Sequence, residues 1–436
     1  MGHMTGRDDE YRRLQTRLAR KVQGAPDSPT LMKILGMLFS QEEARLASQL
    51  PHNLTSLETL SKKLRMSRDV LNEKLTDMAQ RGLIFDMELH GQRYFTLPPV
   101  VVGFFEFVFM RARPDLPLPE LAQLFEEYFY ENDGEFVRNI SEGKTKLFRT
   151  LIREEAIPEH DYPEVLDWER ATHIVSSATA VSVGMCQCQH AAHHLGQACD
   201  KPQEVCLSFN YAAEALSRMG HARTISKPEA QSILETCRAH SLVQVADNVQ
   251  RKVTFICNCC RCCCHVLRGL NLLELYPGIV TSNWVMNVNP VQCKGCGECA
   301  RVCPVHAVTI EGKDEGNEKP RWAVCDETAC LGCGACHAVC KTGGVTMKAR
   351  PQRVVVPETI FDRHLAMAIE REKLADLLFD DPGKFSHRAL GRFIRAIEKS
   401  GPFKSAMASE SLKSGFLKLL VKGARKQTGE LSDLFT

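Results

Sequence analysis

Two stretches of sequence decide the fold of this chain: CKGCGECARVCP at residues 293–304 and CLGCGACHAVCK at residues 330–341. Each contains four cysteines at the spacing C-x2-C-x2-C-x3-C, and the second stretch repeats the first 37 residues later. Two glycines between the first three cysteines of each stretch let the backbone turn tightly and approach a bound group. Thiols held this close together, in a duplicated unit, predict a pair of metal centres.

The duplicated motif resembles that of the bacterial-type two-cluster ferredoxins. The resemblance implies two 4Fe–4S clusters, with the fourth cysteine of each repeat bound to the cluster of the other repeat. The implied ligand sets are Cys293, Cys296, Cys299 and Cys340 for one cluster, and Cys330, Cys333, Cys336 and Cys303 for the other. Zinc is the alternative, because paired C-x2-C units also make zinc sites. A third cysteine at the same interval and the duplication of the unit favour iron–sulfur.

Two residues near the repeats bear on the properties of these clusters. Lys341 stands where such ferredoxins usually carry proline, and a cation beside a cluster favours its reduced state. We therefore expect the nearer cluster to have the higher potential. Cys325 is an extra thiol five residues before Cys330. For Cys325 we predict a buried structural role rather than ligation.

The distribution of cysteines bears on the cellular compartment. The chain has 20 cysteines in 436 residues, and all of them lie between residues 186 and 340. Clusters of this kind in a long chain are typical of metal sites, and adjacent thiols are badly placed for mutual disulfides. The first residues carry no apolar signal segment, and the longest apolar run, at residues 98–110, is too short to span a bilayer. These features predict a reducing, cytoplasmic compartment.

Two groups of cysteines upstream of the repeats are further candidate metal ligands. They are Cys186, Cys188, Cys199 and Cys206 in the first group, and Cys257, Cys259, Cys260, Cys262, Cys263 and Cys264 in the second. Residues two apart on an extended chain project to the same side, so Cys186 and Cys188 can face one metal. We predict one or two further iron–sulfur clusters here, with zinc or unligated thiols as the alternatives.

The second upstream group follows a short predicted strand. If that strand continues, Cys257 and Cys259 face one side, and Cys260, Cys262 and Cys264 face the other. For the nearby histidines, at positions 190, 193 and 194, we predict a solvated or hydrogen-bonded role rather than ligation.

The order of these segments resembles that of a group of anaerobe-associated 4Fe–4S proteins. In that group a C-x-C segment, a Cys-Asn-Cys-Cys-x-Cys-Cys-Cys segment and a C-terminal two-cluster ferredoxin follow one another. The resemblance covers roughly residues 30–350 and implies electron transfer through several clusters. One departure is Arg261, which stands where glycine is expected.

Residues 31–97 are predicted to form a helix, a turn, a second helix and a hairpin. Thr55 and Glu58 predict a capping box at the start of a helix, Gly82 predicts the end of a second helix, and His90-Gly91 predicts a hairpin turn. This order of elements resembles a winged-helix domain. A winged helix beside redox clusters allows an alternative function, that of a redox- or oxygen-responsive DNA-binding regulator acting through residues 31–97. The predicted recognition helix, residues 67–81, carries three cations and three carboxylates, which disfavours contact with phosphates.

The C-terminal region is predicted to be helical and free of cysteine. A basic amphipathic helix there presents an apolar stripe of Leu412, Phe416, Leu419 and Leu420 opposite Lys418, Lys422, Arg425 and Lys426. Such a helix can lie on a membrane surface or dock on an acidic partner. The simpler interpretation is a helix packed on its own core.

Taken together, the sequence predicts a multi-domain α+β protein. The predicted domains are a winged-helix-like domain at 24–115, a mostly helical connector at 116–185, a cysteine-rich α/β domain at 186–284, a two-cluster ferredoxin domain at 285–350 and a helical region at 351–436. The predicted function is to pass electrons to or from a redox partner enzyme. A cluster-bearing oxidoreductase subunit with catalysis at an upstream cluster is the other alternative, although neither a G-x-G-x-x-G nor a P-loop pattern is present. No catalytic residue can be assigned from the sequence.

Overall fold

The computed structural model describes residues 7–276, 278–312, 321–380, 385–408 and 415–416. The chain divides into two compact units, of which the first comprises Met1–Thr145, Glu214–Ala222 and Pro357–Thr436. The second unit comprises Lys146–Ala213 and Arg223–Val356. Helices and sheets occur in both, as the predicted mixed class requires. The five finer domain boundaries given above stay predictions.

The N-terminal part of the first unit is mainly helical. Its elements are α1 (Arg7–Ala19), α2 (Pro29–Leu38), α3 (Gln41–Gln49), β1 (Thr55–Ser56), α4 (Leu57–Leu64), α5 (Arg68–Gln80), β2 (Phe85–Leu89), β3 (Gln92–Thr96), α6 (Phe105–Phe109) and α7 (Leu118–Ser141). The three strands form an antiparallel sheet in the order β1-β3-β2. Helix α7 is interrupted at residues 131–134, where the backbone is not helical.

The helix, turn, helix and hairpin predicted within residues 31–97 are present. Gly82 follows α5 with a φ of +81°, and both residues of the His90-Gly91 turn have positive φ, as a two-residue hairpin requires. The predicted capping box was wrong, because Thr55 lies in β1 and it is the hydroxyl of Ser56 that accepts the amide of Thr59. Assignment of this region to the winged-helix class stays a prediction.

The second unit is built on a six-stranded sheet. Its elements are β4 (Phe148–Thr150), α8 (Ala171–Ser177), β5 (Val181–Met185), α9 (Gln187–His194), β6 (Glu204–Phe209), α10 (Asn210–Arg218, which continues into the first unit), β7 (Arg223–Thr224), α11 (Lys227–Ala239), β8 (Val243–Asp247), β9 (Phe255–Cys259) and α12 (His265–Leu272). The strand order is β4-β8-β9-β6-β5-β7, and the pairings are antiparallel.

Two expectations for this unit need correction. The middle of the chain is not α/β in the strict sense, because antiparallel neighbours do not form parallel βαβ units. The Val, Ser, Ala and Thr content of residues 174–185 predicts a strand over this whole segment, but β5 starts only at Val181, since residues 171–177 are helical. The small residues between them supply the turn from helix to strand.

The two cysteine repeats fold as matching halves. Their elements are β10 (Trp284–Val288), α13 (Glu298–Val302), β11 (Val308–Glu311), β12 (Trp322–Cys325), α14 (Ala335–Ala338) and β13 (Val345–Ala349). Strand β10 pairs with β13, and β11 pairs with β12, both antiparallel. Helices α13 and α14 start 37 residues apart, as do strands β11 and β13, so the sequence repeat is also a structural repeat.

The described C-terminal region is helical, as predicted. Its helices are α15 (Ile360–Glu370), α16 (Leu374–Leu378), α17 (Phe385–Glu398) and α18 (Gly401–Ala408). Of the predicted basic amphipathic helix only Phe416 is described, and its ring packs 5.7 Å from that of Phe403. The other residues named for that helix lie outside the described ranges: Leu412, Lys418, Leu419, Leu420, Lys422, Arg425 and Lys426. Among the helices that are described, none has the length and apolar content needed to cross a bilayer.

Candidate metal centres

The cysteine loops of the two repeats are tightly held against their surroundings. All four glycines of the loops have φ between +60° and +82°, a region that favours glycine. A Cβ added to Gly295 would lie 2.7 Å from the carbonyl oxygen of Arg321, and one added to Gly332 would collide with the carbonyl of Trp284 and the hydroxyl of Ser282. The loops therefore have room for glycine and for no larger residue at these two positions.

Hydrogen bonds fix the loop of the second repeat from outside. The amide of Ser282 donates to the carbonyl of Leu331 over 3.0 Å, and its hydroxyl donates to the carbonyl of Gly332 over 2.7 Å. The amide of Arg153 donates to the carbonyl of Cys333 over 3.2 Å. Three consecutive carbonyls of the loop are thus bound by residues outside the repeat, which holds the thiols of this loop in place.

Cys303 is part of the first repeat in sequence, but its thiol interacts electrostatically with cysteines of the second repeat. Burial is the main cause that raises the pKa of Cys303, and the charge of Cys330 raises it further. The thiols of Cys333 and Cys336 in turn interact electrostatically with those of Cys330 and Cys303. This is the neighbourhood that the crossed ligand set requires, although ligation itself stays a prediction.

The two sites differ in exposure to solvent. The second-repeat site consists of Cys330, Cys333, Cys336 and Cys303, and all four thiols are buried. The first-repeat site consists of Cys293, Cys296, Cys299 and Cys340, and its thiols range from buried to exposed. Cys299 feels the charges of Cys293 and Cys296, as one site would require. For Cys340 the described partners are Thr342, whose hydroxyl lies 3.6 Å from the sulfur, and neighbouring amides. Its place in the first-repeat site therefore stays a prediction.

Backbone amides of the repeats point at the cysteine sulfurs. The amide of Ala307 donates to Cys303 Sγ over 3.2 Å, and the sulfur of Cys330 accepts from the amides of Met286 and Gly332. A hydrogen bond from the thiol of Cys325 is the main cause that lowers the pKa of Cys330 to about 6. Amide donors to thiolate are the usual surroundings of iron–sulfur ligands. The glycine cradles, the amide donors and the all-thiol donor set therefore fit 4Fe–4S clusters.

Residues 292–344 match the family model of the 4Fe–4S dicluster domain. The matched segment, called the dicluster domain below, contains both cysteine repeats. No curated protein and no solved structure gives a significant match to the chain. The dicluster domain and the clustered thiols identify an iron–sulfur protein of the electron-transfer kind.

Two cations differ in their relation to the dicluster domain. Arg153 is buried and donates to the carbonyls of Arg238 and Leu242, over 3.0 and 3.3 Å, while it interacts electrostatically with Cys333 and Cys336. The expected cation Lys341 is exposed and interacts with the carboxylate of Glu298. A buried charge is screened much less than an exposed one, so Arg153 is the stronger electrostatic neighbour. No sequence signal near the repeats indicated Arg153.

Upstream of the dicluster domain, ten of the thiols form two neighbouring sets. The first, called the six-thiol set, consists of Cys186, Cys188, Cys206, Cys257, Cys259 and Cys264. The second, called the four-thiol set, consists of Cys199, Cys260, Cys262 and Cys263. Each set draws on both of the cysteine groups recognised in the sequence. Cys237, a fully buried thiol of α11, belongs to neither set.

The members of the six-thiol set interact electrostatically with one another. Cys188 interacts with Cys186 and Cys264, Cys259 interacts with Cys264 and Cys257, and Cys257 interacts with Cys206. Strand register explains part of this, because Leu207 and Ile256 are paired and the cysteines beside them therefore adjoin on one face of the sheet. Cys259 lies two residues beyond Cys257 and faces the same side.

Two details of the expected geometry were wrong. Cys186 and Cys188 do not lie on an extended chain, because Cys186 caps helix α9 and Cys188 lies in its first turn. Strand β9 does not continue past Cys259, since residues 261–263 form a turn. The turn therefore places Cys264, at the start of α12, on the side that Cys259 faces and not on the side that Cys260 was expected to face. Because of this turn, the side chains after Cys259 do not alternate between two faces as they would on an extended strand.

The histidines of α9 lie next to the thiols. The ring nitrogens of His190 and His194 approach to 3.2 Å, and His190 is buried. Burial and the neighbouring histidine charges lower the pKa of His194. A solvated or hydrogen-bonded role for the three histidines, without metal ligation, stays a prediction.

Proposed function

We propose that this chain transfers electrons one at a time between redox partner proteins, using two 4Fe–4S clusters in the dicluster domain and a third iron–sulfur centre at the six-thiol set. Bound clusters of this kind supply one-electron chemistry. The observation that carries the proposal is a second collection of six thiols, four of them buried, in the same compact unit as the dicluster domain. A single tetrahedral ion takes only four thiolates, so a set of six favours a polynuclear centre.

Arg153 and Cys237 interact electrostatically with both the dicluster domain and the six-thiol set when taken as a pair. Arg153 interacts with Cys333 and Cys336 on one side, and its charge reaches Cys237 on the other. Cys237 in turn feels the charge of Cys186, a member of the six-thiol set. This short series of neighbours supports a route for electrons from the six-thiol set to the second-repeat site. A redox partner would then meet the more exposed first-repeat site.

The chain's own residues would perform three tasks in this function. The thiols of the three sites hold the clusters, and the amide donors around Cys303 and Cys330 stabilise negative charge on the sulfurs. Buried packing excludes water from the second-repeat site, and Arg153 adds a positive charge beside it. The proposed compartment is a reducing one such as the cytoplasm, because there the cysteine ligands are kept from forming disulfides.

The regulator alternative is not favoured by the charges of α5. Lys74 is paired with Glu42 over 2.8 Å, and Arg81 is paired with Glu43 and Asp77. Cations that are already neutralised within the protein contribute little to phosphate binding. No observation assigns a catalytic residue, so the oxidoreductase-subunit alternative has no support beyond the electron-transfer function itself.

Anaerobic reductive titration followed by electron paramagnetic resonance tests the proposal. The wild-type chain should accept about three electrons, and the triple variant Cys257→Ala/Cys259→Ala/Cys264→Ala should accept about two, because it leaves only three thiols of the six-thiol set where a 4Fe–4S cluster takes four. Cys237→Ala is the matched control, since it removes a buried thiol that belongs to no set. An unchanged uptake in the triple variant would refute the third centre, and an uptake near zero in the wild type would refute the function.

A further inference from the structure

The sulfurs of the four-thiol set are unusually close together. The four Sγ atoms all lie within 4.8 Å of one another. Cys263 Sγ lies 3.7 Å from the sulfur of Cys199 and 3.7 Å from that of Cys262. A disulfide would need a far shorter separation, so the four sulfurs form a compact group of unbonded thiols.

This spacing distinguishes between a single ion and a cluster. Four sulfurs bound tetrahedrally to one zinc ion, at about 2.3 Å each, lie about 3.8 Å from one another. In a 4Fe–4S cluster each thiolate binds a different iron, so the ligand sulfurs surround the whole cube and lie farther apart. The four-thiol set therefore has the dimensions of a mononuclear tetrahedral site.

The surroundings of the set fit thiolate ligands. The sulfur of Cys199 accepts the amide of Lys201, and that of Cys260 accepts the amide of Cys263. Cys260 and Cys263 are buried in a small apolar cluster with neighbours that include Val205 and Leu242. Amide donors to sulfur and an apolar wall are what structural thiolate sites require. The compact group contains no carboxylate or imidazole, which favours a soft, thiophilic ion.

We propose that Cys199, Cys260, Cys262 and Cys263 bind one zinc ion in a closed structural site, separate from every iron–sulfur centre. Four thiolates fill the tetrahedral shell and leave no position for substrate or water. The ion would join the loop after α9 to the turn between β9 and α12.

The position of this site suggests what the ion does. Cys186 and Cys188 lie at the start of α9, ahead of the loop that carries Cys199. Cys259 and Cys264 flank the turn that carries the other three zinc ligands. Tying the loop to the turn would position four members of the six-thiol set relative to one another. The zinc site is thus a structural clamp beside a redox site.

Metal analysis of the full chain, purified anaerobically, tests this assignment. The wild type should contain about one zinc ion per chain, and the double variant Cys199→Ser/Cys262→Ser should retain almost none. Cys262 is exposed, so its replacement alone is the milder version if the double variant does not fold. Cys237→Ala, which removes a thiol of the same apolar cluster that is not among the four ligands, should keep its zinc. Loss of iron and sulfide with zinc unchanged in the double variant would overturn the proposal.

X-ray absorption at the zinc edge of the wild type provides a measurement that needs no variant. We expect four sulfur neighbours at about 2.3 Å and no nitrogen or oxygen neighbour. A shell that contains nitrogen or oxygen, or a chain without zinc, would overturn the site. Iron-free protein that keeps its zinc would refute the electron-transfer function and leave the zinc site standing, so the two proposals fail separately.

Discussion

Replacing Gly332 with alanine should damage the second-repeat site far more than the same change at Gly343. Both glycines have left-handed backbone, with φ of +70° and +71°. At Gly343 an added Cβ would have no neighbour within 4 Å. At Gly332 it would collide with the carbonyl of Trp284 and the hydroxyl of Ser282. Comparing the two alanine variants therefore separates the effect of backbone strain, which both share, from that of the steric collision, which occurs only at Gly332.

The expected magnitudes follow from these surroundings. A non-glycine residue in the left-handed region costs about 1–2 kcal/mol, and both variants bear that cost. At Gly332 the colliding carbonyl belongs to Trp284 in β10, which is paired with β13 and cannot move freely. Overpacking of this kind costs about 1–3 kcal/mol more. Gly332→Ala should therefore lower the free energy of unfolding by about 2–5 kcal/mol in total.

Urea unfolding of the metal-free protein measures this difference, and the rate of iron loss to a chelator measures its consequence for the site. Gly332→Ala should also lose iron faster, because the collision displaces the loop between Cys330 and Cys333. Gly343→Ala should stay close to wild type in iron retention. Equal destabilisation and equal iron loss in the two variants would show that the loop does not lie against Ser282 and Trp284 as described.

Three substitutions should shift midpoint potentials measured by anaerobic titration. Arg153→Met should lower the midpoint potential of the second-repeat site by about 50–100 mV, because removal of one buried charge beside the site costs roughly 1–2 kcal/mol. An unchanged potential would exclude electrostatic coupling between Arg153 and this site. Lys341→Pro should lower the midpoint potential of the first-repeat site by only about 10–20 mV, because the lysine is exposed and its charge is screened. If both midpoint potentials stayed unchanged, the expected effect of Lys341 on the nearer cluster would be contradicted. Cys325→Ala should lower the midpoint potential of the second-repeat site without loss of iron, because it removes a hydrogen bond to the sulfur of Cys330. Loss of iron in this variant would instead show that Cys325 is a ligand.

The dicluster domain could be predicted from sequence because its determinants are local. The three closely spaced cysteines of each loop lie within seven residues, and the glycines that let the loop turn lie between them. Gly332 and Gly295 have the left-handed backbone that such a turn requires. The 37-residue offset of the sequence repeat is also the offset between the first residues of α13 and α14.

The upstream thiols could not be grouped from sequence because their neighbours are set by tertiary structure. Cys206 meets Cys257 only through the register of β6 and β9, which no local spacing specifies. Cys199 meets Cys263 through a turn whose direction departs from strand alternation. Arg153 approaches Cys333 from a segment far away along the chain, so no motif could have indicated it.

Iron, acid-labile sulfide and zinc, counted per chain after anaerobic purification, test the central proposal most directly. Three cubane centres predict about twelve irons and about twelve sulfides, and the four-thiol set predicts about one zinc. About eight irons would confine the clusters to the dicluster domain and contradict the third centre. Almost no iron, with several zinc ions in its place, would contradict the proposal that this chain carries electrons.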